Sequence, residues 1–188
     1  MTRFKKIPQD TFTAMQMDAG VLLRTFNPAS PAEPADADII TATTGGINIV
    51  CQPSYSDMGE DVDNVPLNMK ELKHLDSWLC RISTTALDTS ADGLKLALGA
   101  ADVNASTGKV TPRSTLNQSD FTEIWWVGDK AGGGLVACHL FNALSTEGLS
   151  IQTTKNGKGQ TTLTLEGHVS ISAQDVVPME FYSLDADE

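Results

Sequence analysis

The segment QTTLTLEGHVSIS (160–172) does most to limit what this chain can fold into. From Gln160 onward Leu163, Leu165, Val169 and Ile171 fall on one side, and Thr162, Thr164, Glu166, His168 and Ser170 on the other. Only an extended strand sorts the two sets, because successive side chains of a strand point to opposite faces. Asn156-Gly157 lies just before it and LSIQTT before that, which predicts a hairpin over 149–172 with one dry and one wet face.

The same kind of signal recurs between turn residues. Residues 20–26 (GVLLRTF) and 46–52 (GINIVCQ) read as strands, the second ending at Pro53. Residues 78–88 (WLCRISTTALD) are rich in β-branched side chains and read as a third. Residues 121–130 (FTEIWWVGDK) and 135–145 (LVACHLFNALS) are two more, turned by AGGG, and 178–184 is the last. Helical signals are few. Residues 90–103 place Leu94, Leu98 and Ala101 on one stripe behind Ser90 and Asp92 as caps. Asn68 followed by Glu71 suggests a capping box and a short helix leading to Trp78. The expected fold is mainly β, a β-sandwich or barrel of about eight strands with one flanking α-helix. It forms a single domain over 1–188, with an arm at 1–19 and exposed loops at 27–36, which holds three prolines, and at 53–66.

Charge narrows the function. Asp and Glu total 24 against 13 Lys and Arg, a net charge of −11, and the basic cluster Arg3, Lys5 and Lys6 is confined to the arm. Gripping phosphates needs clustered cations, so a general nucleic-acid binder is not expected. No run is apolar enough to cross a bilayer, and MTRFKKIPQD has no apolar stretch behind its cations, so no export signal is expected. Cys51, Cys80 and Cys138 lie in apolar runs without C-x-x-C spacing and read as buried free thiols made in a reducing compartment.

Catalytic constellations are weak. Cys138 and His139 are neighbours on a strand and point to opposite faces, so they do not pair as nucleophile and base. His168 reads as a solvated residue of a wet face, and His74 has no catalytic neighbour in sequence. Asp57, Glu60, Asp61 and Asp63 offer oxygens to a hard cation, but their spacing matches no EF-hand loop and the distal glutamate is missing. GDKAGGGL has its lysine before its glycines and a strand after them, the reverse of a phosphate loop. No enzyme, cofactor or metal is expected.

FTEIWWVGDK, followed by HLFNALSTEGLSIQTT and KGQTTLTLEGHVSISAQDVVPMEFY, resembles the C-terminal half of the major tail proteins of long-tailed siphophages. TATTGGINI with YSDMGEDVDNVPLNMKELKHLDSW resembles their N-terminal half, and the likeness runs in order from about Gly20 to Tyr182. The resemblance implies a tail-tube subunit: a sandwich with a flanking helix, whose inner strands join those of neighbouring copies in stacked hexameric rings that conduct phage DNA. It implies a place in the virion tail after synthesis in the bacterial cytoplasm. The implied partners are copies of the chain itself, tape-measure, tail-tip and tail-terminator proteins, and double-stranded DNA passing without specific binding.

On that expectation Asp57, Glu60, Asp61 and Asp63 are candidate contacts between subunits or rings. Trp125 and Trp126 join them, because adjacent strand residues cannot both face one core. Glu166 and Glu180 are candidates to line the lumen. Three alternatives stay open: a β-sandwich decorating a virion, a carbohydrate-binding module using a tryptophan platform, and the tube protein of a contractile injection system. A Cys/His hydrolase assembled from remote parts has no positive support in the sequence.

Overall fold

The structure, a computed structural model, describes residues 7–8 and 10–186. In chain order its strands are β1 (Gln16–Leu23), β2 (Thr43–Asp57), β3 (Lys73–Ala86), β4 (Ala101–Asn104), β5 (Lys109–Pro112), β6 (Thr122–Lys130), β7 (Leu135–Ser145), β8 (Ser150–Gln152), β9 (Gln160–Glu166) and β10 (Met179–Leu184), and α1 (Ala91–Leu98) lies between β3 and β4. The chain is mainly β. Eight strands make one antiparallel sheet in the order β1-β6-β7-β9-β3-β2, with β10 beside β7 and β8 beside β9, while β4 and β5 pair separately. β1 and β2, at opposite ends of that order, come into contact, so the sheet rolls around its own apolar face. Leu22, Ile82, Ile124, Trp126, Leu140 and Leu165 meet there in one buried cluster, with Ala97 of α1 against them.

The roll depends on β7, which serves three ladders. Residues 135–140 pair with both β6 and β10, whereas Leu144 and Ser145 pair with β9. Between them Asn142 takes φ +46°, a left-handed conformation that Asn tolerates better than most residues. Opposite this bend β9 stops. Gly167 donates its N–H to the Cys80 carbonyl at 2.9 Å, and a Cβ at position 167 would meet Leu140 Cδ1 at 2.6 Å. The chain leaves the sheet there and returns as β10 along the same edge of β7.

Several expectations change. Pro53 does not end β2. The Cys80 carbonyl faces Gly167 on the β9 side, so the main-chain groups of Cys80, and of Cys51 opposite it, point away from the β2–β3 seam. Pro53, two residues along, therefore lacks an N–H only on the open edge of β2, where no ladder bond is lost. The short helix after Asn68 is a single 3₁₀ turn, Lys70–Leu72, without a side-chain cap. Asn68 sits at φ +62°, and β3 begins at Lys73 rather than at residue 78.

The helix over 90–103 is shorter than expected. Ser90 does cap it, accepting the Gly93 N–H at 3.1 Å, but Gly99 at φ +72° ends it and residues 101–104 form β4. Its core-facing residues are Ala97 and Leu96, not a stripe through Leu94 and Ala101. The dry face of 160–172 breaks at Gly167: Leu163 and Leu165 are buried, whereas Val169 and Ile171 are exposed. The same break makes His168 half-buried rather than solvated, its Nδ1 3.2 Å from the Asn142 carbonyl. Cys51 is half-buried where full burial was expected. The basic cluster of the arm lies outside the described residues, and 16–19 belong to β1.

The break at Gly167 is testable by truncation on either side of it. Leu165→Ala should cost about 2–5 kcal/mol, the range for buried leucines. Ile171→Ala should stay within about 0.5 kcal/mol, as for exposed positions. Urea unfolding of the two variants measures both, and equal losses would place Ile171 in the core.

Candidate functional site

β2 and β3 form a hairpin far longer than the sheet that carries it. β3 pairs with β9 only from Arg81 to Ala86, whereas its pairing with β2 runs on to Lys73. The distal part, 53–78, is thus a two-stranded arm beyond the sheet. An isolated two-stranded hairpin is marginal in water. Yet this one leaves Tyr55, Met58, Val62, Leu67 and Leu75 exposed, with Leu67 at 68% and Met58 at 66%. Tyr55 and Leu75 face each other across the ladder, and exposed apolar side chains gathered on one projection are a feature of interaction surfaces.

The end of the arm is ordered by Asp57. Its carboxylate accepts the Gly59 N–H at 3.0 Å and the Asn68 N–H at 2.8 Å, pinning both limbs of the loop. Those two N–H groups, that of Asn68 foremost, hold the Asp57 carboxyl below the ordinary carboxylate range. Beneath it Gly59 is buried: a Cβ there would meet Leu72 Cδ1 at 2.8 Å and Val65 Cγ1 at 3.1 Å. Asp57 is therefore an internal clamp of the tip. Glu60, Asp61 and Asp63 stay at the surface of the same loop, available for contact. Among the described residues no group of three or more His, Cys, Asp or Glu side chains is placed to hold a metal.

Trp125 and Trp126 do lie on opposite faces of β6, but neither is a surface platform: they are 7% and 9% exposed. Trp126 enters the main core and donates its indole N–H to the Ala19 carbonyl at 2.9 Å, in the bulge of β1. Trp125 is covered by a second cluster, stacked on His139 at 3.8 Å between ring centroids and flanked by Phe26 at 5.5 Å and Tyr182 at 5.6 Å. The loop over 27–36 arches beside this cluster and, with β1 and β6, borders a cleft of about 600 Å3. Burial pushes the His139 ring below its usual pKa, opposed by the Glu123 carboxylate at 2.8 Å. Cys138, on the other face, is fully buried in the main core, and burial pushes its thiol up to about 12.

Both lumen candidates point away from the main core. Glu166 lies opposite Arg81 and accepts a bond from Thr146 Oγ1 at 3.2 Å. Glu180 lies opposite His139 on β10 and accepts the Tyr182 hydroxyl at 2.7 Å. Around Glu166 the outer face of β2, β3 and β9 is rich in hydroxyls and amides, with Asn48, Ser83, Thr85 and Thr162 bordering a shallow depression of about 520 Å3. Its one cation, Arg81, is 3.4 Å from Glu147.

Among the outer strand edges left unpaired by the described residues are the full length of β2 and that of β10, where Phe181 is 58% exposed; β8 and most of β1 also have an open edge. Sequence patterning missed the arm, because its apolar residues are scattered among acids without a period. The available signal was their number in a stretch otherwise read as a solvated loop.

The Asp57 clamp sets a pH dependence. A carboxyl depressed in the fold contributes stability above its unfolded value, about 3.9, and loses it as pH falls through the folded value. Amide exchange at Gly59 and Asn68 should stay slow from neutral pH to about 4 and rise below that, after correction for intrinsic rates. Asp57→Ala should exchange fast at both amides throughout. A variant as protected as the parent would remove the clamp. Neither a protein-family model nor a curated protein matches the chain, so its functional reading stands on these residues and their geometry.

Proposed function

We propose that the chain is a structural, self-assembling subunit of a phage tail tube, with a sandwich-type tail-tube fold, packed in stacked hexameric rings within the virion tail. The observation that carries this reading is the arm at 53–78. It is a two-stranded projection that leaves Tyr55, Met58, Val62, Leu67 and Leu75 exposed among the described residues. A contact between this arm and a different surface of the next copy is heterologous, and repeated it builds a filament rather than a closed dimer. The open edges of β2 and β10 support lateral joining, because unpaired edges are satisfied when strands of neighbours close into a ring.

The bore is assigned to the outer face of β2, β3 and β9. Hydroxyls, amides and Glu166, with Arg81 already paired to Glu147, present no free cation cluster to grip phosphates. A chain of net charge −11 lining such a bore keeps transiting DNA loosely held. The sugar-binding alternative loses its platform with the burial of Trp125 and Trp126.

Met58→Asp combined with Leu67→Asp tests the arm. Both side chains are exposed, so the variant should melt within a few degrees of the parent. Negative-stain microscopy and sedimentation of the parent should show rings or hollow tubes, and the double variant should yield monomers or unstacked rings. Tubes from the variant indistinguishable from the parent's would overturn the assignment of the arm. A parent that stays monomeric at every concentration and does not add to tubes of its own kind would overturn the tube itself.

A further inference from the structure

Cys51 and Cys80 stand directly opposite each other on β2 and β3, with their sulfurs 3.9 Å apart. Their pairing type follows from the ladder. Because the Cys80 carbonyl accepts the Gly167 N–H, the main-chain groups of Cys80 face β9, and the Cys51–Cys80 pair is a non-hydrogen-bonded one. Such pairs hold their Cα atoms about 4.5 Å apart with side chains close, at the short end of the range a disulfide spans. The pair also sits at a mechanical boundary. Arg81 is the last residue of β3 with a partner on β9, so Cys80 is where the arm leaves the sheet.

We infer that Cys51 and Cys80 are an oxidation site, a cross-strand dithiol that a small-molecule disulfide converts into a bond locking the root of the arm. The oxidant class is a low-molecular-weight disulfide such as glutathione disulfide. Half-buried Cys51 is the accessible thiol. Its thiolate attacks one sulfur of the oxidant, forming a mixed disulfide and expelling one thiolate. The Cys80 thiolate then attacks Cys51 Sγ and expels the second. Two protein thiols and one external disulfide become one protein disulfide and two external thiols; two electrons pass to the oxidant, and the two protons end on the released thiols. Cys80 is almost wholly buried, and burial, with the neighbouring Cys51 sulfur, pushes its thiol up to about 12. Ring closure is therefore the slow step and accelerates with pH, about tenfold per unit while thiolate is scarce. Cys138 lies in the same core, but its strand partners are Trp126 and Phe181. The sulfur–sulfur contact among the described residues is that of Cys51 with Cys80.

The lock acts on the arm alone, so it does not rest on tube assembly and can be measured on the free chain. Without it the arm is held by its own ladder and the Asp57 clamp; with it, the residues between 51 and 80 become a closed loop whose opening is restricted.

The experiment treats the full-length chain with glutathione disulfide at neutral and alkaline pH. Intact mass and peptide mapping read the product, and hydrogen exchange reads residues 73–79. The expected product lacks two hydrogens, maps to a 51–80 link, forms faster at higher pH, and exchanges roughly tenfold or more slowly in the arm. Cys138→Ser should form the same link and Cys51→Ser should not. A persistent glutathionyl adduct on Cys51 without ring closure, a link through Cys138, or a 51–80 link that leaves exchange unchanged would each overturn the proposal. The Cys51→Ser change is at a half-buried position, so the test does not depend on replacing buried Cys80.

Discussion

A single strand, β7, must supply ladders to β6 and β10 on its two edges and a third to β9, and it does so by turning at Phe141–Asn142. Every polar group freed by the turn is taken up locally. Phe141 donates its N–H to the Pro178 carbonyl at 3.0 Å and accepts the His168 N–H at 3.2 Å, while Asn142 Nδ2 donates to the His168 carbonyl at 2.9 Å. A buried bend with unmet backbone groups would cost more than most single contacts contribute. With them met, the sheet can roll until its end strands touch. The roll makes one core from strands far apart in the chain, and it requires β9 to stop at Gly167 and the chain to detour before resuming as β10.

The same geometry explains why the arm overhangs. β9 is only as long as the stretch before the bend allows, so β3 loses its third strand at Arg81, although β2 and β3 pair on to residues 57 and 73. Beyond that point the hairpin has no sheet to lean on. It compensates with short-range devices: the Asp57 clamp, Gly59 tucked under Leu72 and Val65, and Ser56 Oγ donating to Asp76 at 2.8 Å. Pro53 removes a donor from the open edge near the root, which interrupts strand addition there. Under the proposed assembly, association through the arm would thereby be directed to the exposed side chains of its tip, Met58, Val62 and Leu67.

The elements that were legible in the sequence are those whose burial matches a local period. β7 was readable to the residue, because a run of apolar residues between AGGG and a Ser/Thr/Glu stretch leaves little choice. β6 and β10 agree within a residue at each start for the same reason. The misreadings share a physical origin in contacts remote in sequence. Gly167 looks like a tolerable glycine in an alternating strand until Leu140 and Pro178 crowd it. Pro53 looks like a strand end until one knows which way its missing N–H faces. Asn68 and Glu71 mimic a helix start, but the backbone there is committed to the Asp57 carboxylate. Trp125 and Trp126 were correctly placed on opposite faces. No local pattern, however, signals that Phe26, His139 and Tyr182 cover Trp125.

In the self-assembly proposed above, an acidic chain with an apolar projection would face two opposed forces. Like charges repel over a Debye length, about 8 Å at physiological ionic strength, whereas apolar burial acts only on contact. Glu60, Asp61 and Asp63 sit on the loop that carries Val62 and lies next to Met58, so the approach of the tip to another acidic surface is repelled until those side chains are seated. Wrong encounters, which seat little apolar area, gain nothing to offset that repulsion, and the well-fitted one does. Under the proposed assembly, the net charge of −11 would thus filter how copies can meet. The clamp at Asp57 matters to both, because it fixes where the acids stand relative to the apolar side chains beside them.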